Sequence, residues 1–369
     1  MDEHNRILFG ITKQSHTEMG LDEMRGLQKL GYQCDQFEYA GNKESKSTIA
    51  RFYLVIRNAI KLLIKTYQFK PDYIYFNSRL EDIACKRDFI TIFILRSFYY
   101  KKVLLLIKSH GSEPEVLQTQ KLFYKRILFP FLKRNVKGWL FLSTEELNKI
   151  KSDKSLNDNN IFLTKNIVSL ERFKKEKNFR NDLHIPADYK ILLFVGRLIK
   201  EKGIHYIIDA FAEIKMEYKT ILIIVGDGEE TENIKAKIAL LNLEKEVILT
   251  GWIKESEVDY FTSNSDLLIF PTFFSEGFPM ALFNSLAAGL PIVTTQTRAA
   301  IDYLKEPDNC LWVQPRSSDS IKTAIIKLLN DDCLTKQMQE NNIKKSYLFT
   351  QEVVAKELSS ILTSIKERS

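Results

Sequence analysis

The sequence predicts an α/β protein built of two doubly wound, Rossmann-like domains. Three observations carry this expectation: short apolar runs of strand length recur from end to end, helix-length stretches separate them, and 369 residues leave room for two cores. Short strands alternating with helices imply parallel sheets joined by right-handed crossovers.

In the first half the strand-like runs are residues 7–12, 73–76, 103–108, 139–142 and 161–164, with helices expected over 21–30, 48–67 and 118–129. Pro130 should kink or end the last of these, because it has no N–H to give the helix. The second half alternates more cleanly. Strands are expected at 191–195, 221–225, 247–250, 267–270 and 292–294, and helices at 204–214, 230–241, 255–262 and 279–288. Residues 317–368 read as consecutive helices, and the polar segment 171–190 reads as a linker. The division expected is therefore an N-terminal domain of residues 1–170 and a C-terminal domain of 171–349, with the final helix, about 350–369, packing back on the first.

Composition narrows the function classes. Residues 1–180 carry 33 Lys+Arg against 20 Asp+Glu, and residues 181–369 carry 21 against 27. A basic first half points to an anionic partner such as nucleic acid, phospholipid or a pyrophosphate-linked acceptor. No recognised nucleic-acid motif accompanies the charge, so nucleic acid is set aside. Cys34, Cys85, Cys310 and Cys333 form no CxxC pair and join no His cluster, so no zinc site is expected and a reducing cytoplasm is the simplest setting. The apolar windows are cut by charges such as Arg57, Lys61 and Lys65, and neither a signal peptide nor a membrane span is expected.

The segment richest in chemistry is residues 270–294, FPTFFSEGFPMALFNSLAAGLPIVT. A strand ends at Phe270, a loop carries Glu276 and Gly277, and Pro279 suits the first turn of a helix. The N–H groups of Met280, Ala281 and Leu282 would then face the loop as an anion site with a carboxylate beside it. An acid next to a phosphate site makes sense when the ligand also brings hydroxyls, as a nucleotide-sugar does. Residues 194–203, FVGRLIKEKG, form the second signal. Here a strand end, Gly196, two cations (Arg197 and Lys202) and a helix start converge, which suits a pyrophosphate.

These stretches resemble the donor site of glycosyltransferase family 4 (glycosyl transferases group 1), within the GT-B fold. The resemblance covers residues 100–365 well and 1–100 by pattern. It implies two Rossmann-like domains facing a central cleft, and a retaining hexosyltransferase that needs no metal or other cofactor. The donor implied is a nucleoside-diphosphate sugar, UDP- or GDP-linked. The acceptor implied is a sugar or lipid-linked glycan, in cell-surface polysaccharide synthesis.

Residue by residue, the resemblance sets Glu276 on the donor sugar's hydroxyls, and Arg197 with Lys202 on the leaving diphosphate. Gly196, Gly277, Phe278, Pro279, Met280 and Ala281 lie along the same two motifs. The family's second carboxylate, which holds the ribose, falls on Asn284, which can still accept from one hydroxyl and donate to another. VGDGE (225–229) and TGWI (250–253) resemble loops bordering the base, giving Gly226 and the backbone of Ile253 as contacts. NIVSLERF (166–173) resembles an interdomain stretch and takes a structural role. In the first half, LIKSHG (106–111) resembles the His-Gly at a strand end, making His110 a sugar ligand or proton carrier. GITKQSHTEMG (10–20) lacks the family's Gly-Gly pair, so Ser15, His16 or Gly20 would take its place.

Four rival readings stand beside this one. A non-catalytic GT-B protein that binds a sugar nucleotide or a partner enzyme is favoured by Asn284. A nicotinamide oxidoreductase would need a third glycine after Val225. A GT-B epimerase is open. A phosphorylase would need a pyridoxal lysine and a longer chain. The basic helix at 48–70, with Phe52, Val55, Ile56, Ala59, Ile60 and Leu63 expected on the sheet, is either a solvated face or a dock for anionic lipid on the inner face of the cytoplasmic membrane.

Overall fold

The computed structural model describes residues 5–11, 17–39, 47–111, 116–117, 119–152, 156–176 and 178–369. Thr12, Ser15, His16 and Gln118, all in segments considered above, lie outside the described residues. The chain divides into two compact units, Met1–Ile167 with Gln351–Ser369, and Val168–Thr350.

The first unit runs β1 (Arg6–Ile11), α1 (Thr17–Lys29), β2 (Gln33–Glu38), α2 (Thr48–Phe69), β3 (Tyr73–Ser78), α3 (Asp82–Phe98) and β4 (Leu104–Ser109). A π-helical turn, Tyr124–Leu128, leads into α4 (Phe129–Asn135), followed by β5 (Val136–Phe141), α5 (Thr144–Ser152) and β6 (Ile161–Leu163). The six strands are parallel in the order β2-β1-β3-β4-β5-β6. Both faces are covered, and the period of two is visible in the packing. Ile7, Phe9, Tyr73 and Tyr75 enter one core, while Leu8, Ile74 and Phe76 enter the other with Leu62, Ile92, Leu95 and Leu132.

The second unit runs α6 (Phe179–Asp182), β7 (Lys190–Val195), α7 (Ile204–Ile214), β8 (Thr220–Val225), α8 (Thr231–Leu240), β9 (Val247–Gly251), α9 (Glu255–Asn264) and β10 (Leu267–Phe270). It continues through α10 (Met280–Ala287), β11 (Ile292–Thr294), α11 (Arg298–Tyr303), β12 (Leu311–Trp312), α12 (Ser318–Asn330) and α13 (Asp332–Ser346). Its parallel order is β12-β11-β10-β7-β8-β9. The last helix, α14 (Gln351–Glu367), belongs to the first unit and packs on α1. Its Leu358, Leu362 and Ile365 join Leu27 and Leu106 in one core.

Several local expectations change. Pro130 does not end the helix but marks a change in it: a π-helical turn, closed by the Phe129 N–H on the Tyr124 carbonyl, precedes the proline, which sits at the start of α4. The described residues of 171–190, expected as a linker, belong to the second unit. Phe179 is buried, with its ring 4.8 Å from that of Tyr260, and Arg180 reaches Asp266 at 3.2 Å. The face of α2 is also different. Asn58, Ala59, Leu62 and Thr66 are the buried residues, and the Thr66 hydroxyl donates to the Leu62 carbonyl at 2.8 Å. Of the residues expected on the sheet, Ala59 is buried and Leu63 packs on the core, whereas Phe52 and Ile60 are exposed. Among the described residues no helix is long and apolar enough to cross a membrane.

Because α14 supplies one wall of a core in the first unit, Leu362→Ala is expected to destabilise the protein by about 2–5 kcal/mol, the cost of a buried cavity. The denaturant midpoint measures it; an unchanged midpoint would mean that α14 docks only loosely.

Candidate functional site

The strand order of the second unit reverses between β7 and β10, with β8 and β9 added on one side and β11 and β12 on the other. At such a reversal the chains leaving the two central strands part toward opposite faces, opening a crevice at their carboxyl ends. The loop after β7 carries Gly196, Arg197 and Lys202. The loop after β10 carries Glu276, Gly277 and Phe278. Topology alone brings the two strongest sequence motifs to one place.

Backbone bonds then lock the loops together. Phe273 N–H donates to the Glu201 carbonyl at 2.8 Å, and the Thr272 hydroxyl donates to the same carbonyl at 3.3 Å. Gly203 caps α7 with φ +76, and a Cβ there would lie 2.6 Å from the Pro271 carbonyl oxygen. The loop after β8 closes the other side. Gly196 N–H donates to Val225 O at 3.0 Å, and Leu198 N–H donates to Asp227 O at 3.0 Å. Gly226, at φ +137, leaves 2.0 Å between a hypothetical Cβ and the Gly196 oxygen, so only glycine fits.

Within this frame Lys202 is 5% exposed and its ammonium contacts the Glu276 carboxylate. The ammonium lies 5.2 Å from the centre of the Phe270 ring and 5.6 Å from that of Phe274, while the Arg197 guanidinium lies 5.8 Å from Phe274. Burial first, and then the like charge of Arg197, draws the Lys202 ammonium down to about 7. Contact with the Glu276 carboxylate works in the opposite direction. The structure thus brings Arg197, Lys202 and Glu276 around one aromatic-walled spot.

Helix α10 begins beyond the same loop, with Pro279 as its N-cap residue and no side chain capping it. Met280 and Ala281 are half-buried there. Leu282, expected to leave its N–H open, instead donates to Pro279 O at 3.0 Å, because the first turn closes on itself. Asn284 is 8% exposed on the next turn. Phe278 does packing work: its ring stacks on Phe283 with centroids 3.7 Å apart, inside a cluster with Tyr303 and Phe349. Ile253 lies after β9, at the edge of the sheet, beside an exposed Trp252.

His110 belongs to the first unit, directly after β4. Its Nε2 is 2.8 Å from Asn77 Oδ1, and Asn77 in turn donates to the Gly10 carbonyl at 3.1 Å. The Arg79 guanidinium donates to the His110 carbonyl at 3.2 Å. Asn77 is the next-to-last residue of β3, beside the reversal of that sheet between β1 and β3, and was not picked out from the sequence. Gly20 packs against it: a Cβ on Gly20 would lie 3.1 Å from Asn77 Nδ2. Phe274 and Thr272, which wall and brace the Lys202 site, were likewise missed, although both lie inside the quoted motif.

Residues 173–345 match the family model described as Glycosyl transferases group 1. The chain is 26% identical over 190 residues to the uncharacterized glycosyltransferase MJ1607 of Methanocaldococcus jannaschii, covering 51% of the chain and 48% of that relative. It is 28% identical over 258 residues to MJ1069 of the same organism, covering 68% and 65%. With the capsular polysaccharide biosynthesis glycosyltransferase CapM of Staphylococcus aureus it shares 26% over 213 residues, covering 56% and 55%. The chain thus spans between about half and two thirds of the length of these curated relatives.

Among solved structures, a glycosyltransferase from Rickettsia africae aligns with TM-score 0.79 at 15% identity, covering 100% of both chains. Anabaena Alr3699/HepE in complex with UDP and glucose aligns with TM-score 0.74 at 18% identity, covering 98% of this chain and 100% of that one. The fold is that of the GT-B glycosyltransferases, and the second unit carries a glycosyl transferases group 1 domain.

Two glycines of this region separate steric from conformational cost. Gly251 has φ +68 with open space around it, so Gly251→Ala should cost about 1 kcal/mol. Gly226→Ala adds the clash with Gly196 and should cost at least about twice as much. Equal unfolding midpoints for the two variants would contradict the close approach of the loops after β7 and β8.

Proposed function

We propose that this chain is a retaining glycosyltransferase that moves a hexose from a UDP- or GDP-sugar to a sugar or lipid-linked glycan acceptor, in the synthesis of a cell-surface polysaccharide. The observation that carries the reading is the meeting of Arg197, Lys202 and Glu276 at the strand-order reversal of the second unit. Support comes from the group 1 domain, from relatives named for capsule and colanic acid biosynthesis, and from a fold neighbour titled as a complex with UDP-glucose.

In this reading Lys202 and Arg197 hold the donor diphosphate and stabilise the charge that develops as it leaves, the role that fixed cations play best in a site poor in water. The diphosphate takes over Lys202, and Glu276 is released to accept hydrogen bonds from hydroxyls of the transferred sugar. Gly196, Gly277 and the first turn of α10 at Met280 and Ala281 supply backbone close to the phosphates. Asn284 meets the ribose as donor and acceptor. Gly226 and the backbone of Ile253 border the base. The cations stand where other transferases place a metal, and the reaction proceeds without one.

The second reading, a GT-B homologue that binds without catalysis, is favoured by Asn284 in place of a carboxylate. Transfer or slow donor hydrolysis that disappears in Glu276→Ala, while nucleotide binding survives, decides against it.

Two outcomes test the proposal. In a thermal-shift panel of UDP-, GDP-, ADP- and dTDP-sugars, one nucleotide should stabilise the protein by about 2.7 kcal/mol at a hundred times its Kd. Lys202→Ala or Arg197→Ala should remove most of that. No shift with any of the four defeats the reading. The second outcome is pH-dependent. The diphosphate binds protonated Lys202, whose pKa burial and Arg197 lower from the ordinary lysine range toward about 7, against the pull of Glu276. Affinity for the nucleoside diphosphate should therefore weaken as pH rises above that value, by up to about tenfold per pH unit, and Lys202→Gln should flatten the profile. Titration calorimetry across neutral pH reads both.

A further inference from the structure

One face of the first unit has no part in the nucleotide chemistry. Along α2, Ile49 (82% exposed), Tyr53, Ile60, Ile64 and Tyr67 (50%) are all solvent-facing. Their spacing of three, four or seven residues puts them on a single stripe of the helix. Helix α2 thus buries a narrow seam of Asn58, Ala59, Leu62 and Thr66 and turns its larger apolar stripe outward. It contains Arg51, Arg57, Lys61 and Lys65 and no acidic residue.

The face continues across neighbouring elements. Helix α2 packs on α3, and α3 packs on the π-helical turn and α4. Aromatic contacts knit these segments together: Phe89 lies 6.0 Å from Phe93, 5.7 Å from Phe123 and 5.1 Å from Phe131. Phe93 and Phe123 remain about half exposed, and Leu122 and Ile127 stand out beside them. The stretch 119–137 is again acid-free, with Lys121, Lys125, Arg126, Lys133 and Arg134 exposed around the apolar residues.

Scattered exposed apolar residues need no explanation, but a contiguous set flanked by an excess of cations does, with Asp35 beside Lys65 and Asp82 beside Lys86 and Lys121 offsetting only part of the charge. A protein partner of ordinary composition would bring acids to match the cations, but would leave wide apolar stripes on two separate helices to be fitted by shape. A fluid anionic surface satisfies both at once: headgroups meet the cations and acyl chains receive the apolar side chains, wherever they stand. We propose that the α2, α3 and α4 face of the first unit docks on an anionic lipid bilayer. The docking needs no donor or acceptor and stands apart from the transfer reaction.

The test is flotation of the full chain with vesicles of pure phosphatidylcholine, or of equal parts phosphatidylcholine and phosphatidylglycerol. Binding to the mixed vesicles should be strong at low salt, fall as salt rises, and be weak on pure phosphatidylcholine. Removing Lys61, Lys125 and Arg126 together, each to Ala, should lower the partition on the order of a hundredfold, from about fivefold per cation. Ile60→Ser with Ile64→Ser and Leu122→Ser should lower it about tenfold or more, with charge intact. These are surface sites far in sequence from the nucleotide motifs, so both variants should keep the parent's thermal midpoint, confirming that they fold.

Equal flotation on both vesicle types, or binding untouched by either variant, overturns the proposal. So does sedimentation as a dimer that the serine variant dissociates, because the face then covers a second copy of the chain.

Discussion

The contact between Lys202 and Glu276 is the constraint around which the second unit is built. An ammonium that is 5% exposed, with two phenylalanine rings nearby, is costly to keep charged. One acid reaches it, from a loop 74 residues away in sequence. That acid is in place because the strand order reverses between β7 and β10, and because the backbone of Phe273 is bonded to Glu201. A pair of this kind is weak evidence of stability, since two well-packed apolar residues could replace it at little cost. Its persistence makes sense as a charge kept ready for an anionic ligand, with a counter-charge holding its place until then. The nearby Arg197 sharpens the point, because a second cation beside a desolvated one serves no purpose in the ligand-free protein.

The second unit was largely legible from the sequence. Its strands are short and apolar, the central ones are buried on both faces, and each ends at or just before a glycine, a proline or a polar residue, so β7 to β11 could be read directly. The two donor motifs could be read for a related reason: close backbone approaches at Gly196, Gly203 and Gly226 leave a pattern of glycines that little else produces. What could not be read is which partner each charge finds. Nothing in FVGRLIKEKG says that Lys202 turns inward to Glu276 while Lys200 stays at the surface, because that choice is made by a loop folded from distant residues. The two-residue β12 carries too few positions to show a period.

The first unit was harder for physical reasons that differ by element. Strand β2 reads QCDQFE and lies at the sheet edge, where only Phe37 is buried, so polar residues hide it. Helix α2 has apolar residues on more than one face, and periodicity alone could not say which face meets the sheet. The structure sends Asn58 and Thr66 inside and leaves Ile60 and Ile64 out. That inversion turns a routine crossover helix into an apolar, cationic surface. Asn77 was invisible as a site residue because its importance lies in two hydrogen bonds, to His110 and to Gly10, that only the assembled sheet creates.

The central claim, that Lys202 is held for a diphosphate and Glu276 for the sugar attached to it, is tested most directly by a crystal structure of the chain with an unreactive UDP- or GDP-sugar analogue. The account predicts phosphate oxygens within hydrogen-bond distance of Lys202 Nζ and the Arg197 guanidinium, with the Glu276 carboxylate turned from Lys202 to the sugar's hydroxyls. A bound analogue whose diphosphate lies elsewhere, with the Lys202–Glu276 contact unbroken, would contradict it.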